Sequence, residues 1–106
     1  MRPVSLQKIR AVARRLGRQL RPKKVILFGS YAYGRPHADS DVDLFIIMKS
    51  RLHPAERATQ AYGLLDSRPF PIDILVRTPA EVRHRLSLGD PFIKEIVTRG
   101  KTLYES

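Results

Sequence analysis

Asp41 and Asp43 stand two residues apart, at the point where the apolar run Leu44–Met48 begins. In an extended chain, residues two apart point to the same side. The two carboxylates therefore converge, and converging carboxylates suit a divalent cation that prefers oxygen ligands. Upstream, a second apolar run, Val25–Phe28, ends in Gly29 and Ser30. Glycine lets the backbone approach a ligand closely, and the free amides of a helical turn starting at a serine favour phosphate oxygens. The chemistry implied is the handling of a phosphate group beside an acidic, metal-binding edge.

Two common motifs share parts of this pattern and fail on their remaining positions. Gly29 and Gly34 have the glycine spacing of a P-loop, but Arg35 and Pro36 stand where lysine and a hydroxyl residue are required. Asp39, Asp41 and Asp43 begin like a calcium EF-hand loop, but Leu44 replaces its glycine and Ser50 its terminal glutamate.

The elements that must position these residues follow from periodicity and breakers. Leu6, Ile9, Ala13, Leu16 and Leu20 form one apolar stripe, predicting a helix from about Ser5 to Leu20 that Ser5 caps and Pro22 stops. Strands are expected at about Lys24–Phe28, Val42–Met48 and Ile72–Val76, with a short helical turn over Ser30–Gly34. Ala55, Ala58, Tyr62 and Leu65 predict a helix from Pro54 to about Asp66. Thr78 and Glu81 form a capping box that opens a helix to about Leu88. Asp90 and Pro91 open another, with Phe92, Ile93, Ile96 and Val97 at helical spacing and Gly100 at its end. Lys101–Glu105 reads as a short last strand. A short connection makes strands one and two antiparallel, and a helical crossover makes strands two and three parallel. Both carboxylate-bearing strands then start at one sheet edge, which sets Asp73 beside Asp43 with Gly29 and Ser30 close by.

Gly29-Ser30, ten residues, Asp41-x-Asp43 and a later Asp73 within a strand resemble the nucleotidyltransferase superfamily that includes DNA polymerase β. More closely, the glycine-serine turn followed by Ser40-Asp41-x-Asp43-Leu44 resembles the minimal nucleotidyltransferases, small prokaryotic proteins often paired with HEPN-domain partners as toxin–antitoxin modules. The resemblance spans nearly the whole chain. It implies an α/β (α+β) fold, a small mixed β-sheet flanked by helices. Asp41 and Asp43 would hold two Mg2+ ions, with Asp73 holding the catalytic one and helping to deprotonate an acceptor hydroxyl. Gly29 and Ser30 would bind the nucleotide, with ATP as the implied AMP donor. The implied activity is transfer of AMP onto a hydroxyl of a HEPN partner protein. The alternative is the same fold neutralising a toxin by contact. Many minimal relatives carry arginines where this chain has Tyr31 and Tyr33, leaving Arg35 or Lys49 as substitutes at the phosphates.

One hundred and six residues allow one domain, divided into a basic N-terminal helix, 1–22, and a catalytic core, 23–106. That leaves no room for an added acceptor-holding domain, so the acceptor surface is expected from a partner or a second copy. No cysteine is present, which excludes disulfides and thiolate metal sites, and no apolar signal segment or membrane span appears. The chain reads as cytoplasmic. Its net charge of +10 calls for an anionic partner. Arg10, Arg14, Arg15 and Arg18 crowd the first helix, which offers nucleic acid an electrostatic surface with no base-reading motif. His37, His53 and His84 have no metal-ligand spacing and read as surface residues.

Overall fold

The computed structural model describes residues 3–37, 39–65, 67 and 69–106. Four strands form one mixed sheet in the order β3-β2-β1-β4: β1 Lys24–Phe28, β2 Val42–Ile47, β3 Ile72–Arg77 and β4 Lys101–Glu105. β1 pairs antiparallel with β2 and with β4, whereas β2 and β3 are parallel. The parallel pair is joined through helix α3, Pro54–Gly63, as a crossover requires.

Alternation along the strands sorts side chains into two apolar layers. Val25, Leu27, Val42, Leu44, Ile46, Ile72, Ile74 and Val76 face one way and pack with Ile9, Ala13 and Leu16 of α1, Leu6–Leu20, and with Ala61 of α3. Ile26, Phe28, Phe45 and Ile47 face the other way. They meet Val82 of α4, Pro79–Ser87, and Ile93 and Ile96 of α5, Pro91–Arg99. Both strands at the centre of the sheet are covered on both faces, which explains their nearly unbroken apolar runs. Phe45 is fully buried; removing such a side chain from water stabilises the fold by about 2–3 kcal/mol.

The caps are those expected. Ser5 accepts from the Lys8 amide, Thr78 and Glu81 complete the capping box, and Asp90 accepts from Phe92 and Ile93. Gly17 lies inside α1 where a larger residue could not, because a Cβ there would meet the Tyr104 ring of β4. Arg10, Arg14, Arg15 and Arg18 are all exposed on α1, opposite its buried stripe.

The buried face of α3 departs from the expected stripe. Arg57 and Ala61 are its buried residues and Ala55 is exposed. The helix ends at Gly63, and Asp66, its expected end, lies outside the described residues. Arg57 is 6% exposed, and its guanidinium donates to the Leu52 carbonyl at 2.8 Å and to Glu81 at 2.7 Å. This ties α3 to the capping box of α4, and a charged residue gives no apolar signal from which the tie could be read. Tyr62, one turn on, closes the outer side of β3: its hydroxyl accepts from the Ile74 amide at 2.8 Å and donates to the Ile72 carbonyl at 3.3 Å. Replacing Arg57 with alanine should destabilise the protein by about 2–3 kcal/mol, since the Leu52 carbonyl and Glu81 lose their donor. Urea unfolding of the variant measures this.

Candidate active site

β1 delivers Phe28 to the sheet edge, directly opposite Asp43 on β2. On its other side Asp43 is the register partner of Asp73 on β3. Phe28, Asp43 and Asp73 thus form a row across three strands. Partnered residues share a face, and neighbouring strands lie about 4.8 Å apart. Asp41 precedes β2 with the same parity as Asp43. The loop before it is folded by a reciprocal pair: the His37 amide donates to the Ser40 hydroxyl at 2.8 Å and the Ser40 amide to the His37 carbonyl at 3.0 Å.

After Phe28 the chain turns sharply at Gly29, with φ 72° and ψ −155°. Only glycine adopts this combination readily. A single helical turn follows, α2, Ser30–Tyr33, in which the Ala32 and Tyr33 amides donate to the Gly29 carbonyl at 3.0 and 3.1 Å. Gly29 also passes against the Asp43 carboxylate so closely that a Cβ would collide with Oδ2. Among the described residues the Ser30 hydroxyl makes no hydrogen bond, so it is available to a ligand. The geometry brings Gly29, Ser30, Asp41, Asp43 and Asp73 to one edge, as the sequence reading expects.

Asp43 is half-buried, and its carboxyl is pushed up from the ordinary 3.8 to about 6, first by burial and then by the negative charges of Asp73 and Asp41. A cation would relieve this charge, and a set of carboxylate oxygens suits magnesium. Among the described residues, no three His, Cys, Asp or Glu side chains yet stand close enough to hold an ion together. Asp43 and Asp73 are register partners and so share one face of the sheet.

The raised Asp43 carboxyl makes stability depend on pH. Between about 4 and 6 the folded protein holds a proton that the unfolded chain releases, so metal-free stability should fall as pH rises through this window. Glu81 and Asp90 act oppositely: hydrogen bonds from Arg57 and Arg85, respectively, hold their carboxyls low, and their stabilisation is lost only at more acid pH. The expected loss between pH 4.5 and 7 is about 1 kcal/mol, discounted for the solvent exposure of Asp43. Melts in EDTA should show the slope in the native protein and its absence in Asp43→Asn.

The two tyrosines of α2 are engaged in packing. The Tyr31 hydroxyl accepts from the Val4 amide at 2.9 Å, and the Tyr33 ring lies under the Arg99 guanidinium at 4.8 Å. Arg35 is exposed just after α2. Lys49 cannot reach the site: β2 carries it to the opposite sheet end, about 20 Å from Asp43. Sequence reasoning missed Arg99, which follows the last apolar position of α5. Phe92 falls at helical spacing with Ile93 and Ile96, yet it is 51% exposed and packs edge-on against Phe28, with ring centroids 5.8 Å apart. His37, His53 and His84 are exposed, as expected.

A mixed sheet between helical layers, with a glycine-serine turn facing two acidic strand starts, defines a polymerase β-like nucleotidyltransferase fold. The nucleotidyltransferase-domain family matches residues 6–104, and the chain belongs to it. No curated protein sequence matches the chain significantly. Among solved structures, a provisionally assigned nucleotidyltransferase from Sulfolobus solfataricus is 16% identical with a TM-score of 0.65, covering 94% of this chain and 79% of that one. A toxin–antitoxin structure with AMP-PNP is 26% identical with a TM-score of 0.58, covering 92% and 73%. A mutant of the toxin–antitoxin pair MntA–HpeT, with two aspartates changed to glutamates, is 25% identical with a TM-score of 0.53, covering 97% and 75%. Among the described residues, no helix is long and apolar enough to cross a membrane.

Proposed function

We propose that this nucleotidyltransferase moves AMP from ATP onto a hydroxyl of a partner protein, as the antitoxin of a HEPN toxin. The observation that carries the reading is the register pairing of Asp43 with Asp73 at the edge where Gly29 and Ser30 turn. Its support in kind comes from the toxin–antitoxin neighbours, one of them with AMP-PNP. In the transfer, the acceptor oxygen bonds to the α-phosphorus, the bond to the β-phosphate bridging oxygen breaks, and pyrophosphate leaves. Asp73, exposed at the rim, accepts the proton of the hydroxyl. Ser30 and the neighbouring amides hold the terminal phosphates. Asp41, Asp43 and Asp73 would hold two Mg2+ ions, which supply Lewis-acid stabilisation of the charge developing on the phosphate oxygens.

A second reading is a binding module that neutralises a toxin by contact. It is favoured by Tyr31 and Tyr33, which fill the α2 turn with packing side chains and bring no charge to it. The deciding experiment incubates the protein with Mg2+, α-labelled ATP and the product of the neighbouring gene. Label should pass to that product and be lost with Asp41→Asn, Asp43→Asn or Asp73→Asn. Tight, neutralising association without label transfer, unaffected by these substitutions, establishes the second reading instead.

A further inference from the structure

The two ends of the sheet carry opposite charge. Asp41, Asp43 and Asp73 mark one end; Lys23, Lys24 and Lys49 mark the other, where β1 begins and β2 finishes. At this far end, α4 and α5 leave a hollow of about 320 Å³ over the sheet. Its floor is apolar, formed by Ile26, Ile47, Val82 and Val97, and Lys23, Lys24 and Arg83 stand at its rim. A second hollow of about 460 Å³ adjoins it, sharing Lys23, Pro79 and Arg83 and adding Lys49 with the hydroxyl residues Ser50 and Thr78. Among the described residues, no acidic side chain lines either hollow. Lys24 is paired with Glu105 at 3.6 Å, whereas Lys23, Lys49 and Arg83 make no ion pair among the described residues.

Three unneutralised cations around one concavity repel one another, and an anion that binds all three removes that cost. The two hollows differ in character, which narrows the ligand. An inorganic phosphate would use the cations and gain nothing from the apolar floor. An extended nucleic acid strand calls for cations spaced along a track with stacking surfaces; here the cations converge, and among the described residues no aromatic side chain lines either hollow. The volumes lie in the range of small-molecule sites.

We infer that the far end of the sheet binds a nucleoside polyphosphate, with its phosphates on Lys23, Lys49 and Arg83 and its base on the apolar floor. This site is separate from the carboxylate edge and does not depend on the activity assigned there. The strands place the two about 20 Å apart.

The test is calorimetric titration of ATP in EDTA into the Asp43→Asn/Asp73→Asn double variant, whose acidic edge is disabled. One equivalent of ATP should bind without a divalent metal and weaken steeply with salt. Adding Lys49→Glu and Arg83→Glu, both exposed positions, should weaken it at least tenfold while the melting temperature holds. Val97→Trp should fill the floor and reduce ATP binding while inorganic triphosphate still binds. In the otherwise native protein, Lys49→Glu/Arg83→Glu should leave label transfer to the partner unchanged, so the two assignments fail independently. Absence of metal-independent ATP binding, or binding indifferent to the charge reversals, overturns the inference. Equal affinity for inorganic triphosphate and ATP also overturns it, because the apolar floor would then be unused. A single-stranded RNA that displaces ATP at far lower concentration would assign the surface to nucleic acid instead.

Discussion

Asp43→Asn should reduce nucleotidyl transfer by a factor on the order of 10³ or more while leaving the metal-free protein as stable as the native one or more so. The two effects share one cause. Asp43 sits between Phe28 and Asp73 on a covered face, where its charge is disfavoured by burial and by its acidic neighbours. An amide keeps the shape and removes the charge, so the free protein sheds a repulsion. The same change removes the oxygen anion that a cation at this edge needs. Melting the native and variant proteins with ATP in EDTA and with Mg-ATP separates the consequences: the native protein should gain further stability when Mg2+ is present and the variant should not. An unchanged Mg2+-dependent gain in the variant would remove Asp43 from the site.

Gly29→Ala should cost about 1–3 kcal/mol of stability and abolish transfer as well. The backbone at Gly29 lies in a region that residues with a Cβ avoid, and the added methyl would be driven into the Asp43 carboxylate. The chain can relieve that collision only by moving α2 or turning the carboxylate, and either displaces part of the site. Serine or alanine at position 34, where φ is −130°, meets no such backbone restriction, although the Ser30 backbone lies close by. Gly34→Ala therefore serves as the control. Equal loss in both variants would show that the α2 turn responds to crowding in general and not to the conformation at Gly29.

The strands, their directions and the meeting of Asp43 with Asp73 were legible in the sequence because each rests on a short-range signal. Apolar runs bounded by glycine or proline mark strands, and a helical crossover sets parallel pairing. The caps at Ser5, Thr78 and Asp90 were equally readable, since capping depends on residue type and spacing alone. What escaped was long-range. Arg57 is buried because Glu81 and the Leu52 carbonyl come to meet it from two other segments. Phe92 matches the apolar period of α5 yet remains half in solvent, because the period fixes an angle around the helix and not whether another layer covers it. Lys49 was adjacent to the site only in the sense that it follows the same strand; strand length carries it to the other end.

Tyr62 has a consequence for how other molecules can reach Asp73. β3 is an outer strand, and an outer strand normally offers a ladder of unpaired amides and carbonyls on which a foreign strand can assemble. Here the Tyr62 hydroxyl occupies the Ile72 carbonyl and the Ile74 amide, the two groups that flank Asp73. A partner cannot dock by extending the sheet alongside Asp73, and copies of the chain cannot zip together there into fibres. Access is left from the open rim, where a single side chain can descend onto the carboxylates without its backbone joining the fold.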